Sequence, residues 1–383
     1  MNDLTLIINS GSTSLKFSVF NRDLKIICRG IVDRIGLPTS FFNYQEGNGK
    51  PKIINYSSGI KNHEIAVKLI VDILPQNIYD QINIIGHRVV HGGEIFTKPV
   101  VVTQQVIKQL EKFNDLAPLH NPINIKTILA CQKHFNEVKH IVFFDTAFFK
   151  DLPDYAYLYS LPLKYYEQNK IRKYGFHGLS HQNMLEFASE KLKKKKEKLN
   201  LITCHLGGGS SVTLIKDGKA FDTSMGFTPL EGLTMSTRSG DLDPAVLIYL
   251  QKNLKMTVDQ INELLNYESG MYGICGLKDM RDVLQAAGYH IKGYKLLRKY
   301  NNREKEKARL ALKIFIYDIQ RYITSFAGMV KHLDAIVFSG AIGYYSDIIR
   351  NLILQDIYFP SKPKILVCEQ NEERLMADEL SNR

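Results

Sequence analysis

One pattern occurs twice in this chain, about two hundred residues apart: a short apolar run, a turn of small residues, then a stretch in which apolar and polar residues alternate. The first copy is Ile7-Ile8-Asn9-Ser10-Gly11-Ser12-Thr13-Ser14-Leu15-Lys16-Phe17-Ser18-Val19, and the second is Thr203-Cys204-His205-Leu206-Gly207-Gly208-Gly209-Ser210-Ser211-Val212. Each ends in a polar turn, Asn21-Arg22-Asp23 in one and Lys216-Asp217-Gly218 in the other. Alternation with period two marks a half-buried strand, so each copy reads as a hairpin opening one half of the chain. Glycine lets bare backbone N–H groups approach an anion, and neighbouring hydroxyls add donors. Two such turns suggest two halves gripping one polyphosphate.

With 383 residues the chain exceeds one compact core and fits two domains of ordinary size. Strand-like runs fall at 5–8, 15–20, 25–31, 84–86, 140–144, 201–205, 212–215 and 335–339. Helix-like runs fall between them at 63–74, 103–114, 123–135, 181–198, 244–252, 258–267 and 305–332. The alternation predicts an α/β architecture, with a boundary at 150–154, where Asp151-Leu152-Pro153-Asp154 breaks both periodicities. The run 305–332 is apolar on most faces from Leu310 onward, which predicts a buried helix.

The hydrophobic share of 44% and charged share of 23% are those of a folded globular chain rather than a disordered one. Apolar runs are interrupted too soon to span a bilayer, and no basic segment leads into an apolar stretch at the N-terminus, so the expectation is a cytoplasmic protein without a membrane partner. Five scattered cysteines with no CxxC pair indicate neither a disulfide framework nor a zinc site. The net charge of +11 is concentrated in Lys191 to Lys198 and Arg298 to Arg309. These stretches are helix-like, and no aromatic residue interleaves with the lysine run, so they read as solvated faces rather than a nucleic-acid surface.

Several short segments carry chemistry. Gly86-His87-Arg88-Val89-Val90-His91-Gly92-Gly93-Glu94 follows a strand and offers a guanidinium fork for carboxylate or phosphate oxygens; a loop tied by an Arg–Glu ion pair fits the same residues. Metal ligation by His87 and His91 is disfavoured, because no nearby carboxylate or cysteine completes a set. Asp145 ends an apolar strand, where an acid either points into the ligand crevice of an α/β sheet or caps a helix. His177 lies between Gly175 and Gly178, and Arg238 lies in Thr237-Arg238-Ser239-Gly240-Asp241. Two arginines, a histidine, an acid and two phosphate-type turns are the equipment of phosphoryl transfer. No GxxxxGK[ST] sequence is present, which excludes the P-loop solution.

INSGSTSLKF, GHRVVHGGE, APLHNP, FDTAF, YGFHGLSH, HLGGGSSV, DTSMGFTPLEGL, TRSGDLDP, DMRDVL and NEE, in this order from residue 8 to residue 373, resemble the acetate kinase family. The resemblance implies two duplicated ribonuclease H-like, actin-like ATPase domains with a cleft between them. The expected division is 1–150 and 151–373, with residues from about 374 to 383 packing back on the first domain. It also implies Mg²⁺-dependent, reversible phosphoryl transfer between ATP and acetate, giving acetyl phosphate and ADP, in a homodimer; Mn²⁺ is an alternative metal. Arg88 would hold the acetate carboxylate, with Val90, Leu119, Phe176 and Pro229 around its methyl group. Asp145 matches the family's catalytic acid, His177 and Arg238 its transition-state cations, and Asn9 and Glu372 its magnesium positions. Ser12, Ser14 and Lys16 match the first phosphate turn; His205, Leu206, Gly207, Gly208 and Gly209 match the second. Asp279, Met280 and Arg281, and less closely Gly340, Ala341, Ile342, Gly343, Tyr344 and Tyr345, match its adenosine site.

Two departures stand out. The family's second turn usually reads HLGNG, and Gly208 replaces its asparagine. Its GGIGEN motif is altered by Ala341, Tyr344 and Tyr345, and two tyrosines have the bulk to stack on a base or to block its site. Pyrophosphate as phosphoryl partner, propionate or butyrate as acceptor, and an actin-like or chaperone-like ATPase are the rival readings.

Overall fold

Two sheets are wound to the same plan. In the computed structural model, which describes residues 3–118, 120–295, 298–359 and 361–382, the first sheet contains β1 (Leu4–Ser10), β2 (Ser14–Phe20), β3 (Ile26–Asp33), β4 (Ser40–Glu46), β5 (Lys52–Tyr56), β6 (Ile82–Val89), β7 (Val100–Val101) and β8 (Lys139–Phe144). Their order is β5-β4-β3-β2-β1-β6-β8-β7. The second contains β9 (Leu201–Leu206), β10 (Ser210–Lys216), β11 (Lys219–Thr223), β12 (Ala335–Ser339) and β13 (Lys364–Val367), in the order β11-β10-β9-β12-β13. In both, three antiparallel strands are followed across the sheet by two parallel ones, β6 and β8 or β12 and β13. This is the duplicated ribonuclease H-like core, and the first copy adds β4 and β5 at one edge and β7 at the other.

Burial follows from strand position. β9 and β12 are central, covered on both faces and buried throughout, so they read as continuous apolar runs. In the first sheet, helices His63–Ile73 and Asn121–His134 pack on each other, and the latter reaches β1 and β6. In the second, helix Gly178–Leu192 covers β9 and β12, while the long helix Asn302–Ala327 packs against helix Met280–Ala287 and strands β9 and β10. That long helix begins three residues before the expected 305, at a capping box in which the Asn301 side chain accepts from Glu304 N and Glu304 accepts from Asn301 N. It is not apolar-buried all round. Ala308, Ala311, Leu312, Phe315, Ile319 and Ile323 form one buried stripe, and Leu310 and Tyr317 face solvent.

The chain forms two compact units, 1–150 with 371–383, and 151–370. The terminal helix Glu372–Ser381 packs on β1, β2 and β6, so residues 371–373 go with the first unit rather than the second. The basic runs are paired surface features: Lys194 with Asp334 at 2.6 Å, Lys196 with Glu186 at 2.6 Å, and Arg298 with Glu304 at 2.6 Å. All five cysteines are free thiols. No helix of the described residues is long and apolar enough to cross a membrane.

Candidate active site

In the first unit, strand register assembles the site. Asn9 on β1 lies opposite Lys16 on β2 and opposite Arg88 on β6, so these three stand in one row across the sheet. Because successive side chains alternate, neighbouring His87 points the other way, into the core. There its Nε2 meets His140 Nδ1 at 2.9 Å, and His140 Nε2 in turn donates to Phe135 O. Burial, and secondarily His140, hold His87 well below its ordinary pKa; burial takes His91 down to about 3. Both are neutral structural residues, with the His91 ring accepting from Gly93 N.

Arg88 is the hub of this unit. Its Nε and Nη2 donate to the two oxygens of Asp145 at 2.9 and 2.6 Å, and its Nη1 donates to Asn9 Oδ1 at 3.2 Å and lies 3.5 Å from Glu372 Oε2. The Arg88 side chain is 19% exposed and that of Asp145 2%. Burial opposes the charged guanidinium, but Asp145 and Glu372 outweigh it and hold the proton on more firmly than in water. Asp145 therefore begins the short helix Asp145–Phe149 without capping it, and its carboxylate is spent on Arg88. Burial raises the pKa of neighbouring Glu373, with Lys16 opposing and Glu372 reinforcing, and Glu373 accepts from Ser18.

Two asparagines brace this row and were not singled out by the sequence. Asn124 donates to Ser10 O and Oγ and accepts from Val90 N; Asn121 exchanges two hydrogen bonds with the His91 backbone. Their spacing of three on helix Asn121–His134 puts both on one face, a signal present in the sequence but shared with many ordinary helices. Ser12 is exposed at the turn, which closes by Gly11 N donating to Ser14 O. Leu119 lies outside the described residues.

Hard oxygen donors converge here: Asn9 Oδ1, Asp145 and Glu372 all reach the same guanidinium. Among the described residues no three His, Cys, Asp or Glu form a cage. Carboxylate and amide oxygens are the donor types Mg²⁺ takes, usually one or two carboxylates plus water and phosphate, so the residues present fit such an ion.

In the second unit, the β9–β10 turn forms a cradle. A Cβ on Gly209 would sit 3.3 Å from His177 Nε2 and 3.6 Å from Arg238 Nη1, so the imidazole and the guanidinium both border the bare backbone of this glycine. His177 has φ +58°, unusual for a side chain with a Cβ, at the start of helix Gly178–Leu192. Its ring stacks on His205 with centroids 4.2 Å apart, and its Nδ1 lies 2.9 Å from Ser211 Oγ. His205 Nδ1 is 2.7 Å from Ser180 Oγ. Arg238 contrasts with Arg88. Its contacts are long, 3.4 Å to Pro229 O and 3.9 Å to Met235 Sδ, and it has no ion pair among the described residues. Burial lowers its pKa, against a small opposing effect of Tyr267.

Beside this cradle lies a cavity of about 810 Å³ that reaches Gly207 and Gly208. Met271, Met280, Leu284, Ile291, Ile342 and Ile348 give it apolar walls. Asp279 caps helix Met280–Ala287 and pairs with Arg281 through bonds of 2.9 and 2.6 Å, and both line the cavity. Gly340 begins the helix whose Ala341 and Ile342 line the cavity; it has φ +79°, and a Cβ there would fall 2.4 Å from Leu206 O, so no other residue fits without moving β9.

The sequence profile of the acetokinase family matches residues 4–361. The chain belongs to the acetokinase family. It is 42% identical to the acetate kinase of Caldicellulosiruptor bescii over 98% of both chains. Among solved structures, a propionate kinase from Francisella tularensis superposes with a TM-score of 0.89 at 34% identity, and Porphyromonas gingivalis acetate kinase with 0.86 at 33%, each covering 98% of both chains.

Against the acetokinase pattern, the two departures are placed as follows. Gly208 is exposed with no atom within 4 Å of where a Cβ would be, so the missing asparagine leaves open space rather than a repacked turn. Ala341, Ile342 and Tyr345 line the cavity; Tyr345 is 78% exposed and packs edge-on against Tyr344 with centroids 4.8 Å apart. The cavity is open beside Tyr345, not filled by it.

Proposed function

We propose that the protein catalyses reversible, Mg²⁺-dependent phosphoryl transfer between ATP and acetate, giving acetyl phosphate and ADP. The observation that carries this reading is Arg238 and His177 bordering the Gly209 turn, with Arg238 held by no carboxylate among the described residues, beside a nucleoside-sized cavity. An acetate oxygen attacks the γ-phosphorus in line, the bond to the bridging oxygen breaks, and ADP leaves. His177 and Arg238 balance the charge spread over the three equatorial oxygens. Arg88 holds the acetate carboxylate, and Asp145 fixes the orientation of that guanidinium through both its oxygens. Contacts to the methyl group are assigned to Val90, Phe176 and Pro229. Asn9 and Glu372 would hold Mg²⁺, which supplies charge neutralisation for the phosphates when bound.

ATP is favoured over pyrophosphate as donor by the apolar walls of the cavity, which a pyrophosphate has no use for and an adenine ring does. Propionate is a second acceptor, since one methylene is worth only about 1–3 kcal/mol in a small pocket. Trapping the acyl phosphate as its hydroxamate, with acetate or propionate against ATP, GTP and pyrophosphate, tests all of this. Product with pyrophosphate but none with ATP rejects the donor assignment; none with any donor rejects the activity. A cytoplasmic homodimer completes the proposal. Helix Pro244–Leu254 has no buried residue, and its Val246, Ile248, Tyr249 and Leu254 are exposed, a face suited to a second copy. Light scattering on the purified protein gives the mass that decides it.

A further inference from the structure

We propose that Thr203, His181 and Ser211 form a relay that fixes a proton on Nδ1 of His177, so that His177 donates from Nε2 to a phosphoryl oxygen only as the imidazolium ion. The kinase reading enters this proposal only as the identity of the acceptor. Thr203 Oγ1 donates its one proton to Thr213 O at 3.3 Å, so it accepts from His181 Nδ1 at 2.8 Å. His181 is fully buried, and burial, then the charge of His205, keep its pKa well below the ordinary value. It is neutral, and with its proton on Nδ1 its Nε2 accepts from Ser211 Oγ at 2.8 Å. That hydroxyl's proton is then committed, so its 2.9 Å contact with His177 Nδ1 is donation by the histidine.

Neutral His177 accordingly carries a lone pair on Nε2, the nitrogen bordering Gly209. A lone pair repels phosphoryl oxygens, whereas an imidazolium N–H attracts them. Among the titratable and charged groups facing His177 are His205 stacked on it, His181 behind Ser211, and Arg238 beyond Gly209. The cationic Arg238 opposes protonation of His177, and a bound polyphosphate favours it. Ser211 and His181 are positioning residues, acting through His177.

Histidine-selective ¹⁵N labelling of the full chain, with signals assigned by His177→Gln and His181→Gln, reads the tautomers directly. His181 is expected to be neutral and protonated on Nδ1 from about pH 6 to about pH 9, and the neutral form of His177 to be protonated on Nδ1 as well. A neutral His177 protonated on Nε2 overturns the proposal. Ser211→Ala releases the choice of tautomer, letting neutral His177 donate from Nε2. Turnover at the optimum should fall about tenfold while the loss of rate on the alkaline side becomes shallower, and Ser211→Thr should restore the original profile. A Ser211→Ala rate lowered by one constant factor at every pH also overturns it. If the wild-type protein forms no acyl phosphate, the kinase reading fails, but the tautomers still stand or fall on the spectra.

Discussion

The two units share a strand order but differ in the charge they place at the same end of the sheet. In the first, Arg88 is enclosed by Asp145, Asn9 and Glu372, so its cluster has already met its anions and carries surplus carboxylate. In the second, Arg238 and His177 border a glycine turn, and Arg238 has no ion pair among the described residues, its contacts being the neutral Pro229 O and Met235 Sδ. One site suits a cation and a small acid held by a guanidinium; the other suits an anion. The shared scaffold puts a turn of small residues between the first two strands of each unit, and the side chains around it decide the local charge.

The sharpest way to break this comparison is Arg238→Ala. Turnover should fall on the order of a hundredfold or more with little change in KM for acetate, and steady-state kinetics showing the reverse pattern would move Arg238 out of the transition state. Asp145→Ala leaves Arg88 without its bidentate partner, and because the pair is largely buried it should cost about 3 kcal/mol in chemical unfolding. The corresponding loss at Arg238→Ala should be smaller, since no ion pair is broken there.

Acid should separate the units next. His63, His87, His91 and His140 in the first all have pKa values lowered by burial, against His181 in the second. Each binds a proton more readily unfolded than folded, so its stabilisation is complete above about 6.5 and is lost as pH falls toward the folded value, about 3 for His91. Each contributes about 1.4 kcal/mol per pH unit within that window. Limited proteolysis at decreasing pH should cut residues 1–150 before 151–370. At the nucleotide end, Tyr345→Ala should raise KM for ATP about fivefold and leave pyrophosphate unaffected, if the exposed ring stacks on the base. Gly208→Asn, entering open space, should lower KM for ATP by about twofold at most and leave stability unchanged.

Much of the frame was legible because burial imposes it on the sequence. The hairpins opening each half, the apolar strands at 140–144 and 335–339, and the helices begun by Thr103 and Asp243 all carry local signals of period and cap. Strand β5 escaped notice because it is exposed along nearly its whole length, whereas β4, also passed over, does carry a period-two signal, with Ser40, Phe42 and Tyr44 buried and the residues between them turned outward. The run 258–267 read as one helix, yet it is an α-helical turn and a half followed by a π-helical segment, Leu264–Glu268, a change of winding that hydrophobic period does not encode. In the site, residue types were readable and partners were not. Asp145 could be an acid in a crevice or a cap; only the fold shows both its oxygens on Arg88.

The sequence by itself determined the doubled hairpin, the glycine turns and the supply of arginine, histidine and acid, because these depend on local period and on residue type. Tertiary structure alone decided which of them meet. Asn9 stands beside Arg88, and His87 away from it, through a strand register that one residue's slip would invert. The protonation of His177 likewise depends on Thr203, His181 and Ser211, which come from three separate elements and share no pattern along the chain.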